Sequence, residues 1–287
     1  MALLEIRDLR KYFPAPAGLL GRAKEHVKAI DGVSLDVETT RQWLFDSQAA
    51  YRTRPHELLV TALAEALCDH AESDCVRIEL EGHGREDLCD DVDLSRTVGW
   101  FTSLYPVALV RPAGARPNDW INAVKAQLRA VPHGGVGFGV LRWLASDAAV
   151  RDRLAAVPRP SVSFNYLGQF DHVLPDNAAF TLAAEATGPN RGPRGARPHV
   201  WEIIAHVRGG QLHVEWHYSN NLHRRETVAR LAGEHLGILR RLVEHCLSPD
   251  AGGVTPSDFP LADIDQEDVD RLAALLDESD GNGGATL

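Results

Sequence analysis

Long apolar runs, basic charge and paired cysteines are all scarce in this sequence of 287 residues. No apolar stretch approaches the roughly 20 residues of a membrane helix, and Leu58 to Cys68 is interrupted by Glu65. A secretion signal needs an unbroken apolar segment near the start, but Glu5, Arg7, Asp8 and Arg10 stand there. The expectation is a cytoplasmic chain with no membrane contact. Acidic residues outnumber basic ones and the formal net charge is -10, which argues against a nucleic-acid partner. Cys68, Cys75, Cys89 and Cys246 show no C-x-x-C spacing and are expected to be reduced thiols. Serine-hydrolase G-x-S-x-G and zinc-protease H-E-x-x-H patterns are absent, as is any Gly-Lys dipeptide. Without Gly-Lys there is no phosphate-binding loop of the G-x-x-x-x-G-K-[ST] kind.

Lysine is scarce too, and its distribution marks a break. Lys11, Lys24 and Lys28 fall in the first 28 residues, and only Lys125 lies beyond. This composition shift divides the chain into residues 1–38, a body at 39–272 and an acidic tail at 273–287 that is expected to be disordered. Within the body, helical spacing runs over Glu57–His70 and over a long amphipathic segment from Val228 to Val243. Asn118 is placed to cap a helix carrying Ile121, Val124, Leu128 and Val131. Strands are expected at Val76–Leu80, Val107–Val110 and Val162–Tyr166. Trp201–Val207 and Leu212–Tyr218 should form a hairpin across Gly209-Gly210, and residues 186–198 should form a loop. Mixed elements of this kind imply an α/β layered fold.

Three blocks carry the chemistry: Glu81-Gly82-His83-Gly84-Arg85-Glu86, Arg96-Thr97-Val98-Gly99-Trp100-Phe101-Thr102, and Phe164-Asn165-Tyr166-Leu167-Gly168-Gln169-Phe170-Asp171. Glu81 ends a strand on which alternation sets Arg77, Glu79 and Glu81 opposite the apolar face. A carboxylate there, beside the permissive backbone of Gly82 and Gly84, suits proton transfer. The amide and hydroxyl of Asn165 and Tyr166 can orient a ligand or the Glu81 carboxylate. Gly134-Gly135-Val136-Gly137-Phe138-Gly139 lacks the G-x-G-x-x-G spacing and the preceding strand of a dinucleotide site. His213, Glu215 and His217 share one strand face and are a weak metal-ligand pattern, more often just surface residues.

In this order the blocks resemble the second half of an epimerization domain of nonribosomal peptide synthetases, the assembly lines of antibiotics and other secondary metabolites. Those domains belong to the condensation-domain superfamily. The resemblance runs from about Thr39 to Leu272 and takes in Thr255-Pro256-Ser257-Asp258-Phe259-Pro260-Leu261. It implies a chloramphenicol-acetyltransferase-like two-layer sandwich lobe and no directly bound cofactor. The implied substrate is an aminoacyl or peptidyl thioester on the phosphopantetheine of a peptidyl carrier protein. Glu81 is the implied acid/base, with Asn165 and Tyr166 beside it and Gly82, His83, Gly84 and Trp100 as substrate contacts. The family's second acid/base belongs to a His-His-x-x-x-Asp-Gly motif, and this chain has no His-His pair. Only His26 with Asp31-Gly32 imitates it, with Val27 where the second histidine would be. Residues 3–38 instead resemble the start of an oligopeptide-type ABC transporter ATPase, cut short before its phosphate loop. The open readings are therefore an inactive half of an epimerization site, a carrier-docking module, a condensation fragment and an ATPase remnant. A half-site implies a separate first lobe as partner, or self-association.

Overall fold

The computed structural model describes residues 12–14, 26–28, 31–86, 88, 91–114, 116–172, 197–262 and 264–281. Strands β1 (Tyr12–Pro14) and β2 (His26–Lys28) pair antiparallel by themselves. The chain then runs through β3 (Asp31–Ser34), α1 (Val37–Arg41), a π-helical turn (Gln42–Asp46), α2 (Gln48–Tyr51), α3 (Pro55–Ala71) and β4 (Cys75–Gly82). It continues with β5 (Ser103–Val110), α4 (Pro117–Arg129), a short 3-10 turn (Pro132–Gly135), α5 (Val136–Leu144) and α6 (Ala148–Ala155). Strands β6 (Val162–Gln169), β7 (Trp201–Arg208) and β8 (Gln211–His217), then α7 (Arg225–Cys246) and α8 (Gln266–Gly281), complete the order.

Six strands form one sheet in the order β3-β8-β7-β6-β4-β5. β6 runs parallel to both neighbours, and the other pairs are antiparallel. Helices α3 and α7 pack against each other, and α4 packs on α3. α3 is apolar almost all round, with Leu58, Leu59, Ala62, Leu63 and Ala66 buried, because it sits between the sheet and its neighbours. α7 is two-faced: Val228, Leu231, Leu236, Leu239, Leu242 and Val243 are buried at helical spacing. Each fully buried leucine of this kind contributes roughly 2 kcal/mol. The β7–β8 hairpin turns at Gly209-Gly210, where both residues have positive φ. Asp171 caps that turn: its carboxylate accepts the Gly209 and Gly210 N–H groups at 2.7 and 2.9 Å.

Several details differ from the sequence reading. Asn118 is not the cap of α4: Arg116 holds that position, and the Asp119 carboxylate accepts its N–H at 3.0 Å. β5 begins four residues earlier than Val107, through Pro106, which an edge strand tolerates because one side of it needs no donors. β3 lies in the main sheet against β8, although the composition break falls at residue 38. α8 continues past residue 273 to Gly281, and residues 282–287 lie outside the described residues, as does most of the 186–198 loop. Cys68 and Cys246 are buried free thiols and Cys75 is an exposed one, while Cys89 is not described. No helix among the described residues is long and apolar enough to cross a membrane.

Candidate functional site

The three sequence blocks, separated along the chain, meet at the C-terminal end of β4. The parallel register sets Leu80 beside Phe164, so the next residues, Glu81 and Asn165, are neighbours across strands. The Asn165 amide donates to the Glu81 carboxylate. This joins the first block to the third. The first joins the second through Arg85, whose guanidinium donates to the Leu94 carbonyl and lies 4.4 Å from the Phe101 ring centre. Gly84 completes the clasp. It has φ +65°, and a Cβ there would lie 1.6 Å from the Phe101 carbonyl oxygen. The close approach that demands glycine is thus made by the protein's own backbone.

Glu81 faces a cavity of about 1070 Å³. Burial pushes its carboxyl pKa above the ordinary value, which moves the group toward reversible proton transfer. Tyr166 lines the same cavity, and burial pushes its phenol pKa up to about 12, so it stays a neutral donor. Its ring meets Trp43 edge-on at 5.6 Å. Gly82 and His83 also line the cavity. His83 is largely exposed; its Nδ1 accepts the Arg85 N–H at 3.0 Å and its Nε2 lies 3.2 Å from Glu86.

Trp100 is not a cavity residue. Phe101 turns inward under Arg85 and against Gly84, and this throws its neighbour outward, leaving Trp100 89% exposed. Glu79 also departs from expectation. It is not on a solvated face but buried, with its carboxylate 2.9 Å from His199 Nε2. His217 Nε2 lies 3.3 Å from Glu215, yet no group that could hold a metal occurs among the described residues.

The sequence reading missed Tyr105, which lines the cavity. Its ring packs on Gly135, where an added Cβ would approach it to 2.0 Å. Burial and Glu86 both raise its pKa. The only available signal was its place one residue before Pro106, which was also what hid the strand. The opposite wall was missed as well: Arg52, Arg54 and His56 near the start of α3, with Phe259.

The condensation domain family matches residues 20–264 of this chain and so reaches into residues 3–38, where the sequence reading had an ATPase-like start. A linear gramicidin synthase of Brevibacillus parabrevis is 46% identical over 83% of this chain, and chondramide synthase cmdD of Chondromyces crocatus is 40% identical over 94%. The chain spans only 3% and 7% of those proteins. The crystal structure of the epimerization domain from the third module of tyrocidine synthetase B superposes with a TM-score of 0.69 at 36% identity, covering 76% of this chain and 48% of that one. The fold is accordingly the mixed α/β sheet-and-helix lobe of condensation-type, chloramphenicol-acetyltransferase-like structures. A family match over most of the length and a shared fold lead to one assignment: the chain belongs to the condensation-domain family of nonribosomal peptide synthetases.

Proposed function

We propose that this chain carries the glutamate half of an epimerization-type site acting on a carrier-bound aminoacyl or peptidyl thioester. The observation that carries this reading is Glu81: half-buried, raised in pKa, tethered by Asn165 and facing a ligand-sized cavity. In the forward step the Cα–H bond breaks, the proton goes to the Glu81 carboxylate, and the electron pair moves into the thioester as an enolate. Neutral donors such as Tyr166 are suited to stabilise the enolate oxygen. Inversion then requires a proton delivered to the opposite face of Cα by a second group. The chain has no His-His motif to supply it. The reading also rests on similarity to the tyrocidine synthetase epimerization domain, of which this chain spans 48%. Residues 1–38 add no nucleotide chemistry to this reading, since no phosphate loop follows them.

Solvent deuterium incorporation into a carrier-bound aminoacyl thioester, read by mass spectrometry, tests the proposal. The chain alone should exchange no faster than a carrier-only control. Adding a separately expressed first lobe with the His motif should start exchange, and Glu81→Gln should reduce it at least about a hundredfold. Exchange by the chain alone that Glu81→Gln abolishes would overturn the half-site reading. Carrier binding with no exchange under any condition would instead favour a docking module.

A further inference from the structure

The cavity has two chemically distinct walls. One is made by strand ends and carries Glu81 and Tyr166. The other is made by the start of α3 and the Pro256–Pro260 segment, and it carries Arg52, Arg54, His56 and Arg129. Four charged groups on or behind this second wall neutralise one another. Arg129 binds both Glu57 oxygens at 2.8 and 3.0 Å and Asp258 at 2.7 Å, and Lys125 binds Asp258 at 2.7 Å. Arg52 and Arg54 make no ion pair among the described residues, and the Glu57 and Asp258 carboxylates of this wall are engaged by Arg129.

These two arginines are nevertheless held in place. The Arg52 backbone is left-handed, with φ 50°, and its carbonyl accepts from Arg129 at 2.6 Å. Its guanidinium lies 5.4 Å from the Phe259 ring centre. The Arg54 N–H donates to Glu57 at 2.7 Å. His56 lines the same wall. Burial, reinforced by Arg54 and Arg129 against the opposing pull of Glu57, lowers its pKa, so it offers a neutral ring N–H. Two exposed guanidinium groups on a cavity wall, without an ion pair among the described residues, concentrate positive potential there, in a chain whose formal net charge is -10. Guanidinium is the group best matched to phosphate oxygens.

We propose that Arg52 and Arg54 form an anion site that takes the phosphate of a phosphopantetheine arm, so that the arm enters along this wall and presents its thioester to Glu81. The proposal rests on the carrier-bound substrate of the preceding section. Its test is separate. The full chain is titrated with 4′-phosphopantetheine, with pantetheine and with inorganic phosphate, followed by the ring signals of His56 in NMR. Phosphopantetheine should bind about tenfold more tightly than pantetheine, as expected for a charge-assisted contact. Inorganic phosphate should compete. Arg52→Gln with Arg54→Gln should erase the difference, and both residues are exposed, so the fold is unaffected. Equal affinities, a difference that survives the double variant, or no binding of phosphopantetheine at millimolar concentration would each overturn the site. Glu81→Gln should leave the preference for phosphate intact, so failure of the proton-transfer reading and failure of the anion site give different results.

Discussion

His235 shows how far a single side chain can depend on its surroundings. It is fully buried in α7, with Nε2 3.1 Å from the Leu59 carbonyl and Nδ1 without a partner among the described residues. Nε2 therefore donates and Nδ1 carries the lone pair. Burial pushes its pKa down to about 4, against an ordinary value of 6.5. Between those values the unfolded chain binds a proton that the folded chain refuses. Stability must fall as pH drops through that window, by up to about 3 kcal/mol. Urea titrations at pH 7 and pH 5 should show about 2 kcal/mol of this loss, and His235→Gln should remove most of it. An unchanged pH slope in the variant would assign the loss elsewhere. The same dependence on context decides which candidate site residues the sequence can single out. Glu81 and Asn165 stand out as candidates because unusual blocks surround them. Tyr105 was not, because a tyrosine before proline carries no signal until the register places it over Gly135.

Helices and strands with clear periodicity were legible, and contacts between distant elements were not. The spacing of α7 and the glycine pair of the β7–β8 turn read directly from sequence, since each depends on neighbours within a few residues. The ion cluster that ties α3, α4 and the Pro256–Asp258 turn together could not be read. Its partners, Glu57, Lys125, Arg129 and Asp258, come from three separate stretches. Lys125 is the only lysine beyond residue 28, and its side chain is 0% exposed. Its ammonium also donates to the Tyr51 carbonyl at 2.7 Å. Removing one partner from such a cluster strands a buried charge. Asp258→Ala is expected to cost about 3–5 kcal/mol, measured by chemical denaturation. Adding Lys125→Met should recover part of that loss, because the stranded charge goes with it. A cost below about 1 kcal/mol would show that water reaches Lys125 and screens it. The same variant should disturb the arginine-bearing wall of the cavity, since Arg129 holds the Arg52 carbonyl.

The sheet and its helices bury a continuous core, yet one surface of the chain is unusually apolar. On α5, Trp143 is 70% and Leu144 77% exposed, and Val140 and Leu141 are half exposed. A lobe built to face another lobe is expected to expose such a surface around Glu81 and residues 164–171. There Leu167 is exposed but Phe164 is buried, lining the cavity. The glycine-spaced run from Val136 gave no sign of a helix in the sequence, and only the fold shows helix α5 there with no described element over its outer face. Exposed apolar area of this kind marks an interaction surface or an aggregation hazard. On the half-site reading proposed above, a complementary lobe is the partner to test on this surface, since the chain spans 48% of the tyrocidine synthetase epimerization domain. Size-exclusion chromatography with light scattering should show self-association of the chain alone, replaced by a one-to-one complex when a His-motif first lobe is added. Trp143→Glu with Leu144→Glu should weaken either assembly without unfolding the chain, because both side chains are solvated already. In the one-to-one complex the added histidine would stand on the far side of the substrate Cα from Glu81, so assembly and deuterium exchange should rise together with lobe concentration. A monomer that ignores the added lobe would separate the two and favour an independent binding module.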